Sequence, residues 1–180
     1  MPATPRTITL IRHAEKPDEK HPDHPPLGVN EDGQPSPTSL TVRGWQRAGA
    51  LTVQFGQHIM PLARPSSLYA PAYPDGPSHR PRETITPLAR HLGLTIHTPQ
   101  PKGNEAALVT DHLLREPDAD ILVCWEHHHL PALAAALAAS VHVSGTARNA
   151  VLWPDDDFSS ALVYSRNGNG AYTLVQVRVG

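Results

Sequence analysis

At 180 residues the chain has the length of one domain and can bury a core without disulfide staples. A net charge of −2 supplies no basic field for nucleic acid or anionic lipid, so neither is an expected partner. Its one cysteine, Cys124, excludes an internal disulfide framework, and the N-terminus MPATPRTITL has no long apolar segment. A soluble cytoplasmic protein without signal peptide or membrane span is expected.

The β-branched run TITLI at 7–11 predicts a short buried strand. Residues 17–38, rich in Pro and Asp, predict one long surface loop. Thr41 is suited to cap a helix in which Trp45, Ala48, Leu51 and Phe55 fall at helical spacing, with Gly56 as its stop. SSLYA at 66–70 predicts a second strand, and PAYPDGPSHRP another loop. ETITPLARHLGL predicts a helix ending near Gly93, with Pro87 within or near its first turns, and TIHT a brief strand. Asn104 is expected to cap the helix EAALVTDHLL, with Ala106, Val109 and Leu113 on one face. ADILVCW at 119–125 reads as the clearest buried strand, followed by the Ala-rich helix LPALAAALAAS with Pro131 near its first turn. ALVYS and AYTLVQVRV flank RNGNG, an Asn-Gly hairpin signal. Strands alternating with helices argue an α/β sheet, mostly parallel, closed by a C-terminal hairpin.

Two of the buried strands do not end in turn residues. TITLI runs directly into Arg12-His13, and ILVCW into Glu126-His127-His128-His129. In open α/β sheets ligands bind beyond the carboxyl ends of the strands. If these strands are neighbours, two histidines converge on one edge. Cationic and imidazole side chains crowded together call for an anion, and phosphate is the obvious one.

These residues carry a resemblance. LIRHAEK resembles the Arg-His-Gly signature of the histidine phosphatase superfamily, the phosphoglycerate mutase-like fold, with Ala14 where Gly is commoner. SLTVRGWQRAGAL, SHRPRETITPLA and ILVCWEHHHLPAL resemble further segments of that family, in its order. The resemblance implies a three-layer α/β/α domain with a mostly parallel central sheet and helices on both faces. It implies a core of Arg12, His13, Arg80 and His127, with no metal or organic cofactor. His13 would be the nucleophile, Arg12 and Arg80 the phosphate clamps, and His127 a donor to a phosphoryl oxygen. Planar guanidinium forks suit that task because they bind phosphate bidentately and stay charged. Arg82 competes with Arg80, but only Arg80 stands at the motif's spacing from Glu83 and Thr84.

The proton donor is open. His128 stands where some relatives carry an acidic donor, so the candidates are Glu105, Glu126, Glu83 and Glu15. Glu105 is favoured because its loop opens at the catalytic edge; the alternative is that it only complements a helix N-terminus. Glu126 is expected to point to the other side of the chain. Glu15 and Lys16 are expected to be a solvated pair, and His128 and His129 a rim. HPDHPP and EHHHLP suggest a zinc module as a rival, although consecutive histidines on one turn point different ways. A phosphate-binding module without turnover is a third reading. The substrate is expected to be a phosphorylated small molecule or a phosphoprotein. A phosphatase fits better than a mutase, because no long insertion beyond 17–38 supplies a lid.

Overall fold

The computed structural model describes residues 4–18, 27–74, 79–144 and 153–180. Strand β1 (Thr7–Arg12) lies at the centre of a seven-stranded sheet of order β3-β2-β4-β1-β6-β7-β5. The other strands are β2 (Ser67–Tyr69), β3 (Ile96–His97), β4 (Asp120–Trp125), β5 (Val143–Ser144), β6 (Ser160–Arg166) and β7 (Tyr172–Arg178). β1 pairs in parallel with β4, β4 with β2 and β2 with β3, whereas β6 runs antiparallel to β1 and forms the expected hairpin with β7. The mostly parallel sheet is thus as expected. β5, a short strand parallel to β7, had no signal of its own.

Period-two alternation sends the strands' side chains to two cores. Ile8, Leu10, Ile121, Val123, Trp125, Leu162 and Tyr164 face one layer. Ile11, Leu122, Cys124, Ala161 and Val163 face the other. Helices α1 (Val42–Gly56) and α2 (Arg80–Leu92) cover the second face with Leu51, Phe55, Ile85 and Leu88. The segment α3 (Glu105–Ala107), through Leu108, Val109 and Leu113 of the turns that follow it, and helix α4 (Leu130–Ser140) cover the first. Helices on both faces make three layers, the fold class the resemblance implies. No helix among the described residues is long and apolar enough to cross a membrane.

Local details depart from expectation for physical reasons. Thr41 caps α1 as predicted, its hydroxyl accepting from Gly44 N–H at 3.1 Å. Gly44, not Trp45, fills the buried position, because α1 starts against the backbone of Glu15: a Cβ on Gly44 would sit 2.5 Å from the Glu15 carbonyl. α2 begins at Arg80, three residues before the expected ETIT start, and carries Pro87 inside it. Gly93 ends it in the left-handed conformation at φ 67°. Asn104 makes no side-chain cap, and α3 lasts one turn before passing into a π-helical turn, Leu108–His112. That wider turn shifts the register, so Leu108 joins Val109 and Leu113 in the core while Ala106 is exposed.

Candidate active site

Arg12 pairs with Trp125 across the parallel β1–β4 ladder, and the His13 N–H donates to the Trp125 carbonyl at 3.1 Å. The two histidine-bearing strand ends are therefore neighbours. His13 and His127 stand edge to face, with ring centroids 6.1 Å apart, and both are buried. His127 lies in a tight turn between β4 and α4, in which the N–H groups of His129 and Leu130 both donate to the Glu126 carbonyl.

His13 has a defined tautomer. Its Nδ1 lies 2.8 Å from the Ala14 carbonyl, which can only accept, so Nδ1 carries the proton and Nε2 keeps a free lone pair. Burial, together with the charges of Arg12 and Arg80, lowers the His13 pKa to about 3 and keeps the ring neutral at pH 7. Burial also lowers His127 to about 4, with Arg12 and His128 adding to it and Asp155 opposing it.

Arg80 opens α2 and belongs to this cluster, because its charge acts on His13. Its Nη2 donates to the Pro37 carbonyl at 2.8 Å, while its Nε is buried without a partner. Arg82 is exposed and lines a different groove of about 380 Å³ with Glu31, Arg90 and Ile96. Arg80 is thus the arginine the fold brings to His13. The Thr84 hydroxyl accepts from Ala14 N–H at 2.9 Å and donates to the Arg80 carbonyl at 2.7 Å, joining the two segments.

Arg12 is held by a segment that gave no functional signal in sequence. Its Nη1 faces the carbonyls of Pro154, Asp155 and Asp157 at 3.2, 2.5 and 3.5 Å, and its guanidinium lies 3.8 Å over the Phe158 ring. Burial lowers its pKa to about 10, which leaves it charged, and its Nε has no partner. The Asp157 carboxylate anchors this segment, accepting from Ser159 N–H, Ser160 N–H and Arg178. The Asp155 carboxylate accepts from His127 Nε2 at 3.2 Å. The antiparallel β6 explains the arrival of this loop: Ala161 sits beside Ile11, so the residues before β6 reach the carboxyl end of β1.

The four candidate acids have distinct surroundings. Glu105 is buried, and its Oε1 accepts from Gly103 N–H at 2.8 Å and Trp125 Nε1 at 2.9 Å, with His129 Nδ1 at 3.2 Å. Burial pushes its pKa up, but these hydrogen bonds outweigh it and the net shift is downward. Glu83 accepts from Leu40 N–H at 3.0 Å. Glu15 is not solvated: it binds Arg47 at 2.8 Å and Arg43 at 3.4 Å, because α1 packs on its backbone. Glu126 does not point away. It accepts from Tyr73 Oη at 2.7 Å and Lys102 Nζ at 3.1 Å, and interacts electrostatically with His13. Burial raises its pKa too, yet those two donors bring it below the ordinary range.

His128 is exposed and stacks on His127 at 3.7 Å between centroids, so two consecutive imidazoles do lie together. His21 and His24 of the suggested zinc module fall outside the described residues. What the described residues gather is a cationic cluster: two guanidinium groups with buried, unpartnered Nε–H, an imidazole lone pair and a second imidazole.

No family model matches the sequence, and no curated protein sequence matches it either. Among solved structures, the fold is similar to that described as "putative phosphohistidine phosphatase SixA from Agrobacterium tumefaciens". The TM-score is 0.53 at 14% identity, with 97% of each chain covered. The likeness runs over nearly the whole chain, and at this identity it is one of fold: the chain shares the three-layer α/β fold of that structure.

Proposed function

We propose that this protein is a phosphatase of the histidine phosphatase superfamily, hydrolysing its substrate through a phosphohistidine formed on His13. One observation carries the reading: His13 Nδ1 is tied to the Ala14 carbonyl, which leaves Nε2 as a neutral nucleophile beside two arginines with free buried donors. Nε2 attacks phosphorus in line, the P–O or P–N bond to the leaving group breaks, and water later takes the phosphoryl group from His13. Catalysis of such a transfer is mostly positioning and neutralisation of charge on the non-bridging oxygens. Arg12 and Arg80 supply that charge. His127 donates to a phosphoryl oxygen, which displaces the Asp155 carboxylate from Nε2. The lone Cys124, buried in the core, fits a cytoplasmic setting.

The acids bear on the class of substrate. Glu105 and Glu126 are both held toward the ionised state, so neither is suited to protonate a departing alkoxide. Phosphohistidine on a protein needs no such acid, because its imidazole protonates on the ring nitrogen away from phosphorus and departs neutral. This favours a protein phosphohistidine substrate over an alkyl phosphomonoester, and it agrees with the function attributed to the SixA structure. The test is rapid quenching of labelled turnover into alkali. Label on a single acid-labile phosphohistidine, absent from His13→Ala, is expected. Label on Asp, Ser or His127 would overturn the reading.

A further inference from the structure

We propose that His127, His128 and Asp155 form a binding site for a late first-row divalent cation, with Zn²⁺ as its probe, and that the metal inhibits rather than activates the protein. Each residue offers one ligand atom, and the three atoms all lie within 4.8 Å of one another. Tetrahedral zinc with bonds of about 2.0–2.1 Å needs its ligand atoms about 3.3 Å apart. His127 Nε2 and the Asp155 oxygen, at 3.2 Å, already meet that spacing.

The remaining adjustment falls to His128, which is exposed and turns without disturbing the core. Asp155 has its side chain 73% exposed. The donor set suits zinc and its neighbours, since imidazole nitrogen and carboxylate oxygen are both zinc ligands. Calcium and magnesium, which favour all-oxygen shells, are excluded by the same set.

Charge works in both directions here. The Arg12 guanidinium opposes a cation, but Asp155, Asp156 and Asp157 stand in its field and offset it. Three ligands leave a fourth position open to water or an anion. The inhibition, unlike the binding, rests on the proposed phosphatase reading. A metal on His127 Nε2 removes the donor intended for the phosphoryl oxygen and holds Asp155 against His127.

Isothermal titration of the whole protein with Zn²⁺ tests the site without using turnover. One equivalent with micromolar affinity is expected. His128→Ala and Asp155→Asn should each weaken it at least about 10-fold, since even a supporting partner of a ligand is worth about 10–100-fold. The Co²⁺ form should show the visible bands of a tetrahedral site, lost in His128→Ala. Binding no tighter than millimolar, or binding unchanged by both variants, overturns the proposal. In hydrolysis of p-nitrophenyl phosphate, His128→Ala should keep the metal-free rate and resist Zn²⁺. If the site titrates as expected but Zn²⁺ leaves hydrolysis untouched, the inhibitory half fails. If the wild type hydrolyses no phosphoryl substrate, the phosphatase reading fails and the titration still decides the site.

Discussion

The backbone N–H of Ala14 donates to the hydroxyl of Thr84 at 2.9 Å, across a sequence separation of 70 residues. Because the same hydroxyl donates to the Arg80 carbonyl, one side chain sets the position of the His13 segment relative to its arginine clamp. Thr84 is fully buried, so removing its oxygen leaves the Ala14 N–H unsatisfied, at a cost of about 1–3 kcal/mol.

Thr84→Val should therefore lower stability by about 1–3 kcal/mol and reduce kcat about 10-fold or more, through misalignment of His13 and Arg80. Thr84→Ser keeps the oxygen and should restore most of kcat. Parallel urea melts and steady-state rates on the three proteins decide it; full activity in Thr84→Val would show that this link does not position the site.

His13 predicts the acid limb of the stability curve. Its pKa is lowered from 6.5 to about 3 by burial, so below pH 6.5 the unfolded chain takes up a proton that the folded chain refuses. Stability is lost as pH falls from 6.5 toward 3. His13→Ala lacks this term, so between pH 6.5 and 4.5 wild type should lose about 2–3 kcal/mol more than the variant. Denaturant melts at the two pH values measure the difference; parallel losses would place the proton on the folded ring.

Glu105 is expected to be structural, contrary to its role as favoured acid in the sequence reading. Its carboxylate accepts from Trp125, a fully buried indole, and from Gly103. Glu105→Gln should destabilise by about 1–3 kcal/mol and slow alkyl and aryl phosphates alike. A donor would behave differently, with alkyl phosphates slowed strongly and p-nitrophenyl phosphate little. In that case Glu105 returns as the acid; otherwise Glu126→Gln is the variant to compare.

Phe158 supports Arg12 by stacking at 3.8 Å. Losing a desolvated cation–π contact of about 1–2 kcal/mol should raise KM about 5–30-fold in Phe158→Leu, with kcat less affected. Inorganic phosphate, as a competitive inhibitor, should weaken by the same factor. An unchanged KM would show that Phe158 does not set the position of Arg12.

Chelation should not stop the reaction, because Arg12, Arg80 and the two histidines already supply the positive charge and donors for the phosphoryl oxygens. Excess EDTA is expected to leave aryl phosphate hydrolysis intact or raise it where zinc contaminates the preparation. Complete loss, restored by Mg²⁺ or Zn²⁺, would exclude the proposed metal-free mechanism.

The sequence by itself determined the buried strands expected at 7–11 and 119–125 and found at 7–12 and 120–125, most of the α1 face and the C-terminal hairpin, because apolar periodicity and an Asn-Gly turn are local signals. It also brought Arg12, His13 and His127 into question, since a buried strand that ends in cations or imidazoles is visible in one line of residues. What it could not decide was direction and company. That Glu126 turns toward Tyr73, that Glu15 binds Arg47, and that Glu105 braces Trp125 depend on contacts between residues 20 to 53 positions apart. The register shift after Ala107 likewise has no composition signal; it is the π-helical turn that puts Leu108 into the core. Residues 153–159 carry no periodic signal, and only the antiparallel pairing of β6 with β1 carries them over Arg12. Periodicity reports which side of an element is buried. Which charges then meet at a sheet edge is set by strand order, and strand order is a property of the folded whole.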